Sequence, residues 1–451
     1  MPNKGNLIMH LIIPSYEPAA GEGFGKDLFN RKPFATSLTN LVRRTNDPLV
    51  ISLNGHWGEG KTTFVKAWQT LLDENNVPNI YIDAFASDYV DDAFMVVAGA
   101  ITDYVQQKIP KDKTEVFLDK AKHVGAHLLS LSTKIGIRAA TAGIVSGDDF
   151  KDLDKAVEGA GADISKSAEE YIKQKLINHK KESASIIQFK KYLSTIPNLL
   201  KPKTDHSLTI IIDELDRCRP SFAVEMLEKI KHLFSVNNIT FVLVINKTQL
   251  QESIRATYGT NIDAHTYLQK FLTIEADIPL KGLSEKSTVS IYCEYLAEAH
   301  DLDDKEDVQV LMAALGDQLG MTLRQMERAF SIYALTSLSG RMPRDESIGL
   351  FVVLCVIKVT HPDIFFRIKN DTITYSEIYK TLNYIESGDK EYPHELNFSL
   401  KWLKALIISN DEYVKLPEDD YSKQLFSRGH RRNRKKMVED ATNRISTFNI
   451  S

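Results

Sequence analysis

A chain of 451 residues is too long for one ordinary domain, so two or three domains are expected. Hydrophobic residues account for 43% and charged residues for 26%, which is average for a soluble globular protein with a large core. The formal net charge of −4 does not indicate nucleic-acid binding by the molecule as a whole, and the three cysteines show no metal-binding spacing, which favours a reduced cytoplasmic protein.

The N-terminal part of the chain leads into a first helix and strand. Residues 7–13 are a short apolar run that stops at Pro14, which predicts a strand rather than an export signal. Proline and glycine residues across 14–25 predict a flexible lead-in. Apolar residues at helical spacing predict a helix over 27–44, and Asp47-Pro48 ends it before an apolar strand at 49–53.

The stretch after this strand carries the strongest motif in the sequence. Residues 55–62 read Gly-His-Trp-Gly-Glu-Gly-Lys-Thr and fit the phosphate-binding pattern G-x-x-x-x-G-K-[ST], with a predicted helix directly behind it. Glycines let the backbone curl, so that loop N–H groups and the helix N-terminus can face phosphates. Lys61 is expected to reach the β- and γ-phosphates, and the Thr62 hydroxyl to bind Mg²⁺. The predicted nucleotide-binding residues are Gly55, Gly58, Glu59, Gly60, Lys61, Thr62 and Thr63.

A long helical segment follows the next strand. Residues 79–85 predict a strand and 91–108 a helix, whereas 111–204 lack a convincing strand and are interpreted as a helical insertion. The most apolar part of the insertion, 124–146, is interrupted by Lys134 and Arg138. Charges at mid-helix cost about 2.5–3.5 kcal/mol each on insertion scales, which favours a packed or surface-associated helix over a membrane span.

Strands and helices then alternate. Residues 208–214 predict a strand, 222–234 an amphipathic helix and 239–246 another buried strand. Such alternation is typical of a parallel sheet with helices on both faces. The predicted fold class is therefore α/β: a three-layer core around the phosphate-binding loop, with a helical insertion, a helical lid and a helical C-terminal region.

Two acids end the strand at 208–214. Asp213 suits the Walker B position, where a carboxylate steadies Mg²⁺ through water. Glu214 is placed to polarise the attacking water as a general base. The alternative is that both acids only precede a helix and interact with its dipole.

Other polar residues are candidates for the same site. Asn246 ends the following strand, where it either holds the attacking water or forms a strand-end turn. Arginines can stabilise transition-state charge, although each one alone is more often part of an ordinary ion pair. Arg324, near the start of a predicted helix after Gly320-Met321-Thr322, is selected as a lid arginine that senses the γ-phosphate. The arginine candidates are Arg217, Arg219, Arg324 and Arg328.

Beyond Pro279 the strands stop and the pattern becomes helical. Helices are predicted at 287–299, 305–316 and 323–338, and an apolar one, short for a membrane span, at 348–360. Basic residues gather over 422–436. The predicted organisation is a lead-in (1–25), a core in two parts (26–110 and 205–282), the insertion (111–204), a lid (283–346) and a C-terminal region (347–451).

These motifs resemble the KAP family of P-loop NTPases, a branch that carries an extra catalytic carboxylate. The resemblance rests on residues 55–62, on Ile-Asp-Glu-Leu-Asp-Arg-Cys at 212–218, on Tyr-Leu-Gln-Lys-Phe at 267–271 and on Leu-Arg-Gln-Met-Glu-Arg at 323–328. It implies Mg²⁺-dependent nucleotide hydrolysis and an insertion between the Walker motifs. Many members carry membrane helices in that insertion and two aspartates where this chain has Asp213-Glu214, so this chain looks like a soluble member that keeps a carboxylate. By the same resemblance, prokaryotic members include phage-exclusion and defence ATPases.

The sequence therefore predicts Mg²⁺-dependent hydrolysis of ATP or another NTP that drives a conformational switch. Lys61, Glu214 and Arg324 are the predicted catalytic residues, and Thr62 and Asp213 the predicted Mg²⁺ ligands. A nucleotide-gated scaffold with little turnover is the alternative, and the basic tail at 428–436 leaves a nucleic-acid-associated ATPase open. The expected partner is a protein from the same operon, with a homo-oligomer as a further alternative.

Overall fold

The computed structural model describes residues 22–25, 27–90, 92–108, 115, 119, 184, 186–200, 207–279, 287–338, 348–384, 394–417, 423 and 434–447. The predicted strand at 7–13, the apolar stretch at 124–146, most of the predicted insertion and residues 428–432 of the basic tail lie outside the described residues. Within the described ranges, no helix combines the length and the apolar character needed to cross a membrane.

Five parallel strands form a sheet in the order β2-β3-β4-β1-β5. The neighbouring interior strands β3 and β4 are buried at every position, as expected for strands covered on both faces. The predicted α/β fold around a parallel sheet is confirmed. The strands are β1 (Leu49–Asn54), β2 (Asn79–Asp83), β3 (Leu208–Asp213), β4 (Ile239–Ile245) and β5 (Ile274–Asp277).

The carboxyl ends of the strands meet at one edge of the sheet. Because all strands are parallel, Asp83 of β2 lies in register with Asp213 of β3, and Asn54 of β1 lies in register with Ile245 of β4. β4 lies between β1, which leads into the loop, and β3, which ends at Asp213. The polar residues at or just after these ends are Asn54, Asp83, Asp213, Asn246 and Asp277.

The sheet belongs to a compact unit formed by the described residues of 34–55 and 68–278. Its core includes an aromatic cluster in which the ring centroids of Phe94 and Phe234 lie 5.4 Å apart and those of Phe234 and Phe241 lie 6.2 Å apart. The helices that lie in this unit or enter it are α1 (Lys32–Arg43), α2 (Lys61–Glu74), α3 (Ala84–Ser87), α4 (Ala93–Lys108), α5 (Ile196–Leu200), α6 (Pro220–Lys229), α7 (Lys247–Tyr258) and α8 (Ala264–Gln269).

Four details differ from the sequence prediction, and the first is that the helix predicted at 27–44 begins only at Lys32. The strand predicted at 79–85 ends at Asp83, because the Asp83 carboxylate accepts a hydrogen bond from the N–H of Ala86 at 2.8 Å and begins helix α3. The helix predicted at 222–234 becomes a π-helical turn at Ile230–Phe234. β5 was not predicted, since it has only four residues and its positions are half-buried or exposed.

The described residues of 1–33, 56–67 and 279–451 form a second unit, which is helical. Residues 348–357 are all buried, so the apolar character of that helix reflects its place within one continuous core. The helices predicted at 287–299, 305–316, 323–338 and 348–360 are confirmed, while the predicted domain boundaries stay a prediction. The helices after Pro279 are α9 (Thr288–Ala299), α10 (Lys305–Leu319), α11 (Leu323–Leu338), α12 (Ile348–Thr360), α13 (Pro362–Lys369), α14 (Tyr375–Thr381), α15 (His394–Ile407), α16 (Asn410–Lys415) and α17 (Arg434–Ser446).

Candidate functional site

The phosphate-binding motif starts where β1 ends. The N–H of Gly55 donates to the Ile245 carbonyl at 3.1 Å, which continues the pairing of β1 with β4 by one residue. The Asn54 side chain donates to Asp277 at 2.7 Å and accepts from the N–H of Lys247 at 3.0 Å. The neighbouring strand β5 and the start of α7 therefore fix the point from which the loop departs.

Two glycines give the loop its curvature. Gly58 has φ +83° and Gly60 has φ +73°, a left-handed conformation that glycine adopts without the steric cost of a Cβ. Their backbone N–H groups donate to no acceptor among the described residues. Backbone N–H groups without an acceptor just ahead of a helix N-terminus suit an anion, so this segment has the glycine conformations that the motif predicts.

Side chains of the loop hold its own backbone. Lys61 is 9% exposed and donates to the His56 carbonyl at 3.2 Å. The Glu59 carboxylate accepts from the N–H of His56 at 2.6 Å, so this side chain, expected to lie in the nucleotide site, supports the loop itself. Thr62 and Thr63 lie in the first turn of α2.

A buried arginine that the motif does not include also binds the loop. Arg31 is 4% exposed and donates from Nε to the Pro279 carbonyl at 3.0 Å and from Nη2 to the Glu59 carbonyl at 3.0 Å. Its Nη1 lies 3.4 Å from the Gly60 carbonyl. Burial lowers the pKa of Arg31 to about 10, so it remains charged at neutral pH. No sequence signal indicates this role, because the acceptors lie 28 to 248 residues away along the chain.

The structure brings the start of α11 against the loop. A Cβ added to Gly58 would lie 2.8 Å from Cβ of Arg324 and 3.3 Å from Oγ1 of Thr322. Thr322 and Gln325 form a capping box, in which the Thr322 hydroxyl accepts from the N–H of Gln325 and the Gln325 amide oxygen accepts from the N–H of Thr322. Arg324 and Arg328 are both exposed on this helix. The predicted lid arginine therefore lies at the loop, while its sensing role stays a prediction.

Asp213 is fully buried at the carboxyl end of β3. One carboxylate oxygen accepts from the N–H of Glu214 at 2.8 Å, and the other accepts from the hydroxyl of Tyr81 on β2 at 3.1 Å. Burial and the negative charge of Asp213 raise the pKa of Tyr81, which therefore remains a hydrogen-bond donor at neutral pH. The sequence did not identify Tyr81 as part of this arrangement, since it lies 132 residues from Asp213.

Glu214 has an unusual backbone. Its φ is +60°, and every other described non-glycine residue with positive φ is an asparagine or aspartate, which tolerate that region better. Its carboxylate lies 2.9 Å from Arg217 at the end of a 3₁₀ turn, and it makes no cap hydrogen bond to that turn. Burial raises the pKa of Glu214, the positive charge of Arg217 lowers it, and Asp213 and Asp83 raise it further. A strained backbone and a raised pKa are both typical of functional carboxylates.

Three of the other candidates have defined partners. Arg217 is paired with Glu214, and Arg219 binds Asp88 through an ion pair and through its backbone carbonyl. The Asn246 side chain accepts from the N–H of Gln249 at 3.3 Å and caps α7, which corresponds to the strand-end turn predicted as its alternative role. Arg217 is therefore held by the candidate base itself, Arg219 by a residue 131 positions away in the chain, and Asn246 by the helix that it caps.

The predicted metal ligands suit a magnesium ion, which needs few ligands from the protein. Among the described residues, no group of three or more His, Cys, Asp or Glu side chains could hold a metal. Mg²⁺ keeps several waters and is usually bound by one or two protein groups together with substrate phosphates. The carboxylate of Asp213 and the hydroxyl of Thr62 are each an oxygen ligand of the type that Mg²⁺ prefers, so the chemistry of the two predicted ligands fits the ion.

The loop backbone, the Walker-type acids and the parallel sheet define a P-loop NTPase. The family profile described as "KAP family P-loop domain" matches residues 31–339, which is more than half of the chain. The chain therefore belongs to the KAP family, and the resemblance seen in the motifs is confirmed.

Comparison with solved structures finds a weak likeness. The structure of the Aeropyrum pernix ORC2 protein, described as ADPNP-ADP complexes, is 14% identical to this chain with a TM-score of 0.35, and the alignment covers 92% of this chain and 93% of that one. This likeness is too weak to indicate a shared function. Comparison with curated proteins finds no match.

Proposed function

We propose that this chain binds ATP or another nucleoside triphosphate and hydrolyses it in a Mg²⁺-dependent reaction. The observation that carries the proposal is the loop at 55–62: two left-handed glycines whose N–H groups have no described acceptor stand directly ahead of α2. This backbone suits the oxygens of a polyphosphate, which the loop N–H groups and the N-terminus of α2 can bind.

The chain divides the chemistry among named residues. Lys61 and the loop N–H groups bind the phosphates, and Thr62 and Asp213 hold Mg²⁺, which when bound neutralises phosphate charge. Glu214 accepts a proton from water as the water oxygen bonds to the γ-phosphorus and the bond to the β–γ bridging oxygen breaks. The raised pKa of Glu214 makes it a stronger base, while the positive charge of the nearby Arg217 acts in the opposite direction and favours the ionised carboxylate.

Two substitutions test the assignment. Lys61→Ala should abolish ATP binding, because it removes the cation expected at the β- and γ-phosphates. Glu214→Gln should keep ATP binding and lose turnover. Glu225→Gln is the matched control, since Glu225 is also a carboxylate with a raised pKa but is paired with Lys229 on α6. Steady-state phosphate release by Glu214→Gln equal to wild type would remove Glu214 from the mechanism, and a wild type that binds ATP without turnover would support the nucleotide-gated scaffold.

We further propose that hydrolysis drives a conformational switch in the helical unit. The support is the contact of the Thr322–Arg324 segment with Gly58, which couples the start of α11 to the loop. A non-hydrolysable ATP analogue should protect residues 323–334 from hydrogen exchange. Unchanged protection there, at an analogue concentration that saturates binding, would contradict the switch.

In a wider setting we propose a cytoplasmic ATPase component of a prokaryotic anti-phage defence or signalling system that acts with a protein from the same operon. Family membership supports this role. Phage plating on a bacterial host that carries the gene with its neighbours should fall relative to an empty vector, and Lys61→Ala should restore it. Equal plating with wild type and Lys61→Ala would contradict a nucleotide-dependent defence role.

A further inference from the structure

The guanidinium of Arg31 bonds three backbone carbonyls of one unit. It donates to Pro279, to Glu59 and to Gly60 at 3.0, 3.0 and 3.4 Å. The group is itself fixed, because its Cζ also lies 4.7 Å from the centre of the Phe29 ring. A planar guanidinium with five donors suits such a set of divergent acceptors, whereas a lysine ammonium does not.

The bonded carbonyls belong to peptide groups of the loop. A trans peptide is planar, and its C=O and N–H point in opposite directions. Holding the Glu59 carbonyl on the Arg31 side therefore turns the N–H of Gly60 away from Arg31. Holding the Gly60 carbonyl does the same for the N–H of Lys61. These two N–H groups stand in the motif where phosphate oxygens are expected.

One of the two peptides depends on Arg31 in particular. The Gly60 carbonyl also accepts from the N–H of Phe64 at 3.0 Å, the first hydrogen bond of α2. Among the described residues, no donor other than Arg31 bonds the Glu59 carbonyl. Gly60 has no Cβ and adopts φ +73°, so the Glu59–Gly60 peptide has little intrinsic barrier against rotating its N–H out of the site.

We propose that Arg31 is a positioning residue for phosphate binding, which holds the Glu59–Gly60 peptide so that the N–H of Gly60 faces the phosphates. The inference rests on the proposed function and adds to it a residue outside the P-loop motif. Arg31 acts through the backbone and is not itself a phosphate ligand. Loss of Arg31 should therefore weaken the binding of every ligand that carries a polyphosphate group, and the rate of the chemical step should change less.

Arg31→Lys tests the proposal, with Arg43→Lys as the matched control. Arg31 lies directly before α1, and Arg43 is the last residue of the same helix. Arg43 donates to the side chain of Asn75 at 3.3 Å and not to the loop. Binding of ATP and of inorganic pyrophosphate is measured by calorimetry, with the unfolding temperature measured without ligand. By analogy with lost outer-shell support at metal sites, Arg31→Lys should weaken the binding of both ligands about ten-fold to a hundred-fold, and it should raise KM more than it lowers kcat. Arg43→Lys should leave both affinities unchanged.

The outcomes separate this inference from the proposed function. If wild type and Lys61→Ala both fail to bind ATP, the proposed function is wrong. If wild type binds and Arg31→Lys binds ATP and pyrophosphate equally well, the positioning role is wrong while the proposed function stands. A lower unfolding temperature with unchanged affinities shows a purely structural role and also overturns the inference. Arg31→Gln, which keeps a planar donor group without the charge, gives a second measurement and should weaken pyrophosphate in the same sense.

Discussion

The Glu214 carboxylate lies 2.9 Å from the Arg217 guanidinium, three residues further along the same 3₁₀ turn. Two effects oppose each other at this pair. Burial, Asp213 and Asp83 raise the pKa of Glu214, while the charge of Arg217 lowers it. The ion pair therefore favours the ionised form of this half-buried candidate base, and it also engages one oxygen of the carboxylate.

Arg217→Gln should move the acid limb of the pH–rate profile to higher pH. Removing the cation removes the one effect that the structure gives as lowering the pKa of Glu214, so the carboxylate stays protonated, and inactive as a base, up to a higher pH. Phosphate release measured across pH 5 to 9 checks this. Arg255→Gln is the control, because Arg255 forms an ion pair of the same spacing with Glu252 on α7. An acid limb that stays in place would show that another group controls it.

Tyr81→Phe should raise the Mg²⁺ concentration that the reaction requires while leaving Mg²⁺-free nucleotide binding unchanged. The Tyr81 hydroxyl orients one oxygen of the buried Asp213 at 3.1 Å. Loss of such an outer-shell partner typically costs about ten-fold to a hundred-fold in metal affinity. Titration of turnover with Mg²⁺ gives the apparent affinity. Tyr104→Phe is the matched control, since the Tyr104 hydroxyl meets the backbone of Asn79 at the opposite end of the same strand. Equal Mg²⁺ dependence in the two variants would contradict the role of Tyr81.

Gly58→Ala and Gly320→Ala together separate backbone strain from a steric clash. Both glycines have positive φ, at +83° and +61°, so alanine should cost about 1 kcal/mol of stability at either position. Only at Gly58 would the new Cβ approach another residue, since nothing lies within 4 Å at Gly320. We expect a loss of stability in both variants, larger in Gly58→Ala because the clash adds to the strain, and loss of ATP binding in Gly58→Ala alone. ATP binding by both variants at wild-type affinity would show that the loop tolerates the displacement of Arg324.

The sequence predicts local features of this site well, because local chemistry determines them. The strand–loop–helix order at 49–74 follows from an apolar run, glycines and a lysine-threonine pair. The acids after β3 are recognisable because they follow a β-branched strand. Helices α9 to α12 follow from apolar periodicity.

The remaining features depend on contacts between distant parts of the chain. Arg31 binds a carbonyl 248 residues away, and Tyr81 binds a carboxylate 132 residues away, so neither has a local signature. The short edge strand β5 carries alternating exposed positions and lacks the apolar run of the central strands. The left-handed backbone of Glu214 contradicts the preference of glutamate, and only the surrounding fold can impose it.

The last prediction concerns the basic tail. Two of its residues are held by the protein itself: Arg434 donates to the Ala405 carbonyl at 2.7 Å and lies 4.2 Å from the Tyr413 ring centre, and Lys435 is paired with Asp371. Nucleic-acid contact therefore depends mainly on the basic residues at 428–432, which lie outside the described residues.

We expect weak, sequence-tolerant binding to duplex DNA, because no aromatic residue lies between Phe426 and Phe448 for base stacking. Neutralisation of three phosphates by Arg428, Arg431 and Arg432 would give a salt dependence with a slope of about −2.7 in log K against log salt. Fluorescence anisotropy with duplex DNA, single strands and RNA at two salt concentrations measures this. Changing these three arginines to glutamine should abolish binding, while Arg434→Gln should lower stability and leave binding intact. Equal binding by wild type and the triple variant, or no binding by wild type at low salt, would leave the tail as a solvated end of the chain.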